Sequence, residues 1–294
     1  MKSKYIRGMA GNQQIRFVLL DSTGIVDKAR ETHDTSPVAT AALGRSLTAT
    51  SILGLLLKGH KDKVSIQIKG KGPVGTIFAT GDGLGHVKGY ITNPRVDLPL
   101  KENGKLDVGT AVGTDGEIIV IRDYGMKEPY VGRADLTTGE VAEDLVAYFM
   151  HSEQQPSAIS LGVYVTKDTM VEAAGGVLIQ PLPNIDEETL VLLEETLAKM
   201  RSISEMVREG LTPEEMIKEI LFSFDLSIMD EGFVEYTCDC DADRFEKALI
   251  SLGKSELTSM IKEDGQAEVG CHFCNTKYLF DKAALEALLA EATH

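Results

Sequence analysis

Between Tyr5 and Pro181 the apolar positions recur at every second residue in short runs, VSIQIKG, TIFAT, HVKGYIT, EIIVIRDY, AISLGVYV and GGVLIQP, separated by glycine-rich turns. That period and the β-branched content predict strands. Two stretches change the period. PVATAALGRSLTATSILGLLLK spaces Ala41, Leu43, Leu47, Ile52 and Leu56 so that one broad helical face is apolar, and VAEDLVAYFMHS behaves similarly. Strands and helices mixed without regular βαβ alternation predict an α+β domain over residues 1–181.

After Pro181 the pattern turns helical almost throughout, so residues 182–232 are expected to form an all-helical linker. Asp186 stands as the cap of a first helix. Glu187 and Glu188 suit its N-terminal dipole, and Leu190, Leu193, Leu197 and Met200 form its apolar stripe up to Gly210. Thr212-Pro213-Glu214-Glu215 then has the spacing of a capping box with proline at the first helical position. Short amphipathic helices are marginal alone in water. Their stability must come from packing on the neighbouring domain, which makes the linker a candidate metastable, two-state element.

Residues 233–294 form a third region. DADRFEKALISLG places Asp243 and Glu246 at capping-box spacing, SELTSMIKED continues as a second short helix, and AEV, GCHFCN and KYLF read as strand, turn and strand before a last helix near Asp281. The chain's only four cysteines lie here, Cys238 and Cys240 in YTCDC and Cys271 and Cys274 in GCHFC.

Composition narrows the partners. The chain has 294 residues, of which 43% are hydrophobic and 26% charged, as expected of a folded protein, and its net charge of −15 repels phosphate backbones and anionic lipid. Neither nucleic acid nor membrane is an expected partner. MKSKYIRGMAGNQQIRF lacks the apolar centre of a signal peptide, and AALGRSLTATSILGLLLK, interrupted by Arg45 and hydroxyls, falls short of the ~20 apolar residues of a span. A cytoplasmic location is expected. In that reducing compartment clustered thiols point to metal or redox chemistry rather than to scaffold disulfides.

Three chemistries suit such a cluster. A thioredoxin-type CxxC opens a helix, whereas Tyr278, Leu279 and Phe280 after the second pair read as a strand. CxC and CxxC together can supply a tetrahedron of thiolates to one zinc ion, with Cys238, Cys240, Cys271 and Cys274 as ligands. Such a site is either a permanent zinc ribbon, for instance in an interaction module, or a switch. Two features favour the switch. Thiolates are what oxidants attack, and a disulfide across CDC would close a small strained ring that is easily reduced again. A domain of about sixty residues that depends on zinc would lose its folding energy on oxidation.

CDC followed at this distance by CHFC, after a helical linker and a glycine-rich α+β domain, resembles the heat-shock protein 33 family of redox-regulated bacterial chaperones. The resemblance extends through TSPVATAALGRSLTATSILGLLLKG, KGKGPVGTIFA, YITNPRVDLPL, HSEQQPSAISLGV, GLTPEEMI and EDGQAEVGCHFCNTKYLF. It implies an N-terminal chaperone and dimerisation domain and a reduced, inactive form holding one zinc ion on the four cysteines. It further implies an oxidised, active form in which Cys238 pairs with Cys240 and Cys271 with Cys274. The implied function is that of an ATP-independent holdase, not an enzyme, dimeric when active, that keeps unfolding or oxidatively damaged clients from aggregating under oxidative and heat stress. Met200, Met206, Met216 and Met229 would offer adaptable surface to varied clients, or simply pack a core.

Other signals carry less. GKGPVG at Gly70 to Gly75, with Asp97 further on, matches a dinucleotide fingerprint in form, but the β-like TIFAT follows where a helix is required, so a hairpin turn is expected. GDGLGH reads likewise as a turn. His33 with Asp34 and His151 with Glu153 lack a nucleophile or metal partner in any readable motif and are expected to be structural. His272 lies within the CHFC turn but is left out of a tetrahedron that four sulfurs already fill.

Overall fold

The computed structural model describes residues 2–59 and 61–292, which fall into two compact units, Met1–Thr237 and Cys238–His294. The fold is α+β. In the first unit, β1 (Ser3–Ala10), β2 (Ile15–Asp21), β3 (Lys63–Gly70), β4 (Thr76–Asp82), β5 (His86–Ile91), β6 (Gly116–Asp123), β7 (Tyr130–Asp135), β8 (Ala158–Val165), β9 (Val171–Pro181) and β10 (Leu226–Tyr236) form one sheet. Their order across it is β7-β6-β3-β4-β5-β10-β1-β2-β9-β8. Every run expected to be a strand is one.

One strand was not expected. Residues 226–232 read as the end of the helical linker, yet they open β10, which pairs antiparallel with β1 from Ser3↔Val234 to Ala10↔Leu226. At its far end β10 turns to pair in parallel with β5 at Glu235↔His86 and Tyr236↔Val87, so this strand joins the two halves of the sheet. A bulge between Arg7 and Gly8 lets the chains close up, for a Cβ at Gly8 would lie 2.2 Å from Ser227 O.

On one face lie α1 (Thr23–His33), α2 (Pro37–Gly54), α3 (Val108–Val112) and α4 (Val141–Tyr148), which continues as a π-turn over Phe149–Glu153. Helix α2 differs from the one-faced helix that its spacing predicts: 16 of its 18 residues are buried. Its hydroxyls survive burial because Ser46, Thr48, Thr50 and Ser51 each donate to the carbonyl four residues back, at 2.8–2.9 Å. The GKGPVG segment is the β3–β4 connection, and its glycines admit α3: a Cβ at Gly70 would sit 1.9 Å from Val112 O.

The opposite face of β1, β2 and β9 is covered by α5 (Glu187–Leu197), α6 (Ile203–Arg208) and α7 (Pro213–Ile220). Asp186 caps α5 by accepting from Thr189 N at 2.8 Å, and Thr212 and Glu215 form the complete capping box. The helix expected up to Gly210 is broken at 198–202, where Ser202 starts α6 afresh. Leu193, Ile203, Met206, Met216, Ile217 and Ile220 bury themselves against Ile6, Phe17, Leu19 and Val177. Met206 and Met216 are therefore core here, whereas Met229, on β10, is 70% exposed.

The second unit comprises α8 (Ala242–Leu252), α9 (Lys254–Glu263), β11 (Gln266–Gly270), β12 (Lys277–Asp281) and α10 (Lys282–Glu291). Helix α8 is capped by Asp241, which accepts from Arg244 N at 2.8 Å, and not by Asp243. The core is thin: Leu249, Leu257, Phe280, Leu285, Leu288 and Ala292 are its buried members.

Candidate metal centre

Two chain segments meet to make the site. Cys238 and Cys240 lie in the extended stretch between β10 and the Asp241 cap, and Cys271 and Cys274 in the turn of the β11–β12 hairpin. The turn is held by Cys271 N donating to Thr276 O at 2.9 Å and Asn275 N donating to Cys271 O at 2.8 Å, with Asn275 in the left-handed region. The hairpin thereby aims both of its sulfurs at the other pair.

All four sulfurs lie within 4.8 Å of one another. Cys238 Sγ is 3.7 Å from Cys271 Sγ and Cys240 Sγ is 3.3 Å from Cys274 Sγ, and all four cysteines are free thiols. In a tetrahedral site with metal–sulfur bonds of about 2.3 Å the sulfurs stand about 3.8 Å apart. The four thiols thus fit a single thiophilic cation, and zinc is compatible with this donor set.

Their acidities are driven apart. Burial pushes the Cys238 thiol up to about 12 and also raises Cys240. Burial opposes ionisation of Cys274 too, but the hydroxyl and backbone N–H of Thr276 favour its thiolate and bring it down to about 7. Ionising all four together needs a cation among them.

Tyr278 was missed by the sequence reading. Its hydroxyl lies 3.2 Å from Cys240 Sγ and 3.1 Å from Cys240 O, and the hydrogen bond to Cys240, then burial, pushes the phenol up to about 12. Strand alternation puts Tyr278 on the same face as the buried Phe280, and its ring packs on Phe245 at 4.7 Å. That alternation was the available signal. His272 is exposed.

Of the histidines expected to be structural, His33 has a structural place, while His151 is exposed. His33 Nε2 is 2.9 Å from Gly89 O and 3.0 Å from Tyr236 Oη, tying α1 to β5 and β10. Asp34 pairs with Arg95, and Glu153 pairs with Arg122 while accepting from the Tyr148 hydroxyl at 2.7 Å.

The model of the Hsp33 protein family matches residues 3–281. The chain belongs to the Hsp33 family. The 33 kDa chaperonin of Alkaliphilus metalliredigens is 50% identical over 291 residues, which cover 99% of this chain and all of that one. That of Clostridioides difficile is 46% identical, with the same coverage. Among solved structures, the 33 kDa chaperonin (heat shock protein 33 homologue) of Thermotoga maritima superposes with a TM-score of 0.91 at 36% identity, covering 99% of this chain and 98% of that chain. Hsp33 relatives are named as chaperones, so this chain is a chaperone and not an enzyme. Among the described residues no helix is long and apolar enough to cross a membrane.

Proposed function

We propose that the chain is a redox-regulated, ATP-independent holdase of the cytoplasm. It would act on unfolding proteins under oxidative and heat stress, as a homodimer when active and without nucleic-acid or membrane partners. The observation that carries this is the convergence of every cysteine in the chain on one cluster, in a unit with a thin core. In the reduced, inactive state Cys238, Cys240, Cys271 and Cys274 hold one zinc ion, which supplies the positive charge and folding free energy that four thiolates and a small core require. Oxidation forms a Cys238–Cys240 and a Cys271–Cys274 disulfide. Each bond would take two electrons from a pair of thiolates, which then no longer hold zinc, and one hydrogen peroxide would accept those electrons with two protons from solvent to become two waters. Without the thiolates the unit loses its template, and release of α5–α7 then bares the apolar face that they share with β1, β2 and β9.

The test is to treat the reduced, zinc-loaded chain with peroxide at elevated temperature while following zinc release, helicity and aggregation of a heat-labile client. Zinc release, loss of helix and suppressed aggregation should rise together. Zinc retained, or lost with no gain in suppression, leaves a permanent ribbon as the better description.

Tyr278 gives a finer check. Tyr278→Phe keeps the ring on Phe245 but removes the hydroxyl from Cys240, and zinc affinity should fall about tenfold in a competition titration. Unchanged affinity would assign Tyr278 to packing alone.

A further inference from the structure

The ten-stranded sheet ends on β7, and the ladder itself shows which backbone groups that edge leaves outward. Leu136 N donates to Gly116 O at 3.0 Å, and the register runs from Glu117↔Asp135 to Arg122↔Tyr130. Residues 130, 132 and 134 therefore exchange hydrogen bonds with β6, while Val131, Arg133 and Asp135 turn their N–H and C=O away from it. Among the described residues no strand pairs with that side.

Large apolar side chains stand exposed beside the open edge, among the exposed charges of Asp123, Lys127, Glu128 and Asp135. Tyr124, Met126, Tyr130 and Val131 are 43–68% exposed. Sheet edges are normally blunted by lysine, proline or a bulge. Here Pro129 stands just outside the strand, and the one cation within it, Arg133, is paired with Glu117 at 3.1 Å.

We propose that β7 takes up an extended segment of an unfolded polypeptide as an eleventh strand. The segment is bonded through the main chain of Val131, Arg133 and Asp135, and its apolar side chains lie against Tyr130 and Val131. The proposal rests on the chaperone reading, and main-chain pairing suits a protein that must accept many sequences.

A second copy of the chain fits the edge poorly. Centring the pairing on Arg133 sets two like charges opposite each other. Pairing Arg133 with Asp135 of a copy calls next on Thr137, whose N–H is already held by Asp144 Oδ1 at 2.8 Å. Pairing Val131 with Arg133 calls next on Pro129, which has no N–H. The two charge-compatible registers therefore stop at two rungs.

The test uses the full chain after peroxide treatment, with reduced and carboxymethylated α-lactalbumin as a permanently unfolded probe, and reads amide hydrogen exchange and probe affinity. Exchange at Val131, Arg133 and Asp135 should slow when the probe is added. Val131→Pro removes one outward N–H and leaves the β6 ladder whole, so it should weaken probe binding about tenfold. Val131→Lys blunts the edge with every backbone group kept, and should act in the same direction even if the proline variant folds poorly. If the probe binds with unchanged exchange at these amides and both variants bind it normally, the edge is not the site, although the chaperone reading stands. If the probe does not bind at all, both fall. Protection at these amides that rises with protein concentration and needs no probe would mean that a second copy occupies the edge, and would overturn the proposal.

Discussion

Chelating the metal from a reduced chain loaded with zinc is expected to unfold residues 238–292 while the ten-stranded sheet remains intact. A domain of this size rarely draws more than about 3–5 kcal/mol from its core, whereas a structural zinc site contributes about 10–16 kcal/mol. Among the described residues the core here is six buried side chains, while the first unit has its own extensive buried clusters on both faces of the sheet. Amide exchange at Leu257 and Leu285 should accelerate by orders of magnitude on chelation, and exchange at Val18 and Val120 should not change. Cys271→Ser, at the most buried of the four thiols, should reproduce the effect without a chelator. Equal protection of Leu257 and Leu285 with and without metal would mean that the unit folds on its apolar core, and the switch would lose its trigger.

Ile217→Ala is expected to make the reduced chain suppress aggregation with no oxidant present. Ile217 is fully buried on α7, within the cluster that fixes α5–α7 to the sheet. Truncating a buried isoleucine costs about 2–5 kcal/mol, which is comparable to all that holds a short amphipathic helix in place. Leu100→Ala, at a 59%-exposed position outside that cluster, serves as the neutral control. Limited proteolysis at 198–202, where the chain breaks between α5 and α6, would report release of the helices. A variant that is cleaved faster but suppresses no aggregation would show that baring this face is not what activates the chaperone.

Much of the fold was legible because its signals are local. The strand runs carry their own period, Asp186 and the Thr212–Glu215 box carry their own hydrogen bonds, and the CHFC turn lies between two short alternating segments. Strand β10 was not legible. LSIMDEG follows three helical segments and shares their composition, and what makes it a strand is a partner more than two hundred residues away, Ser3–Ala10. Helix α2 misled in another way. Its hydroxyls look like a wet face, but each bonds back to its own helix and so can be buried.

The sequence by itself determined that all the thiol chemistry lies in the last sixty or so residues, that CxC and CxxC suit one tetrahedral cation, and which family the chain resembles, because those properties depend on residue type and spacing. Only the tertiary structure decided that the four sulfurs close to within 4.8 Å, that Tyr278 reaches Cys240, that Met206 and Met216 are buried beneath α6 and α7, and that β10 welds the two half-sheets together. Each of these joins segments distant in sequence. Such contacts depend on how whole elements pack, and local spacing does not encode them.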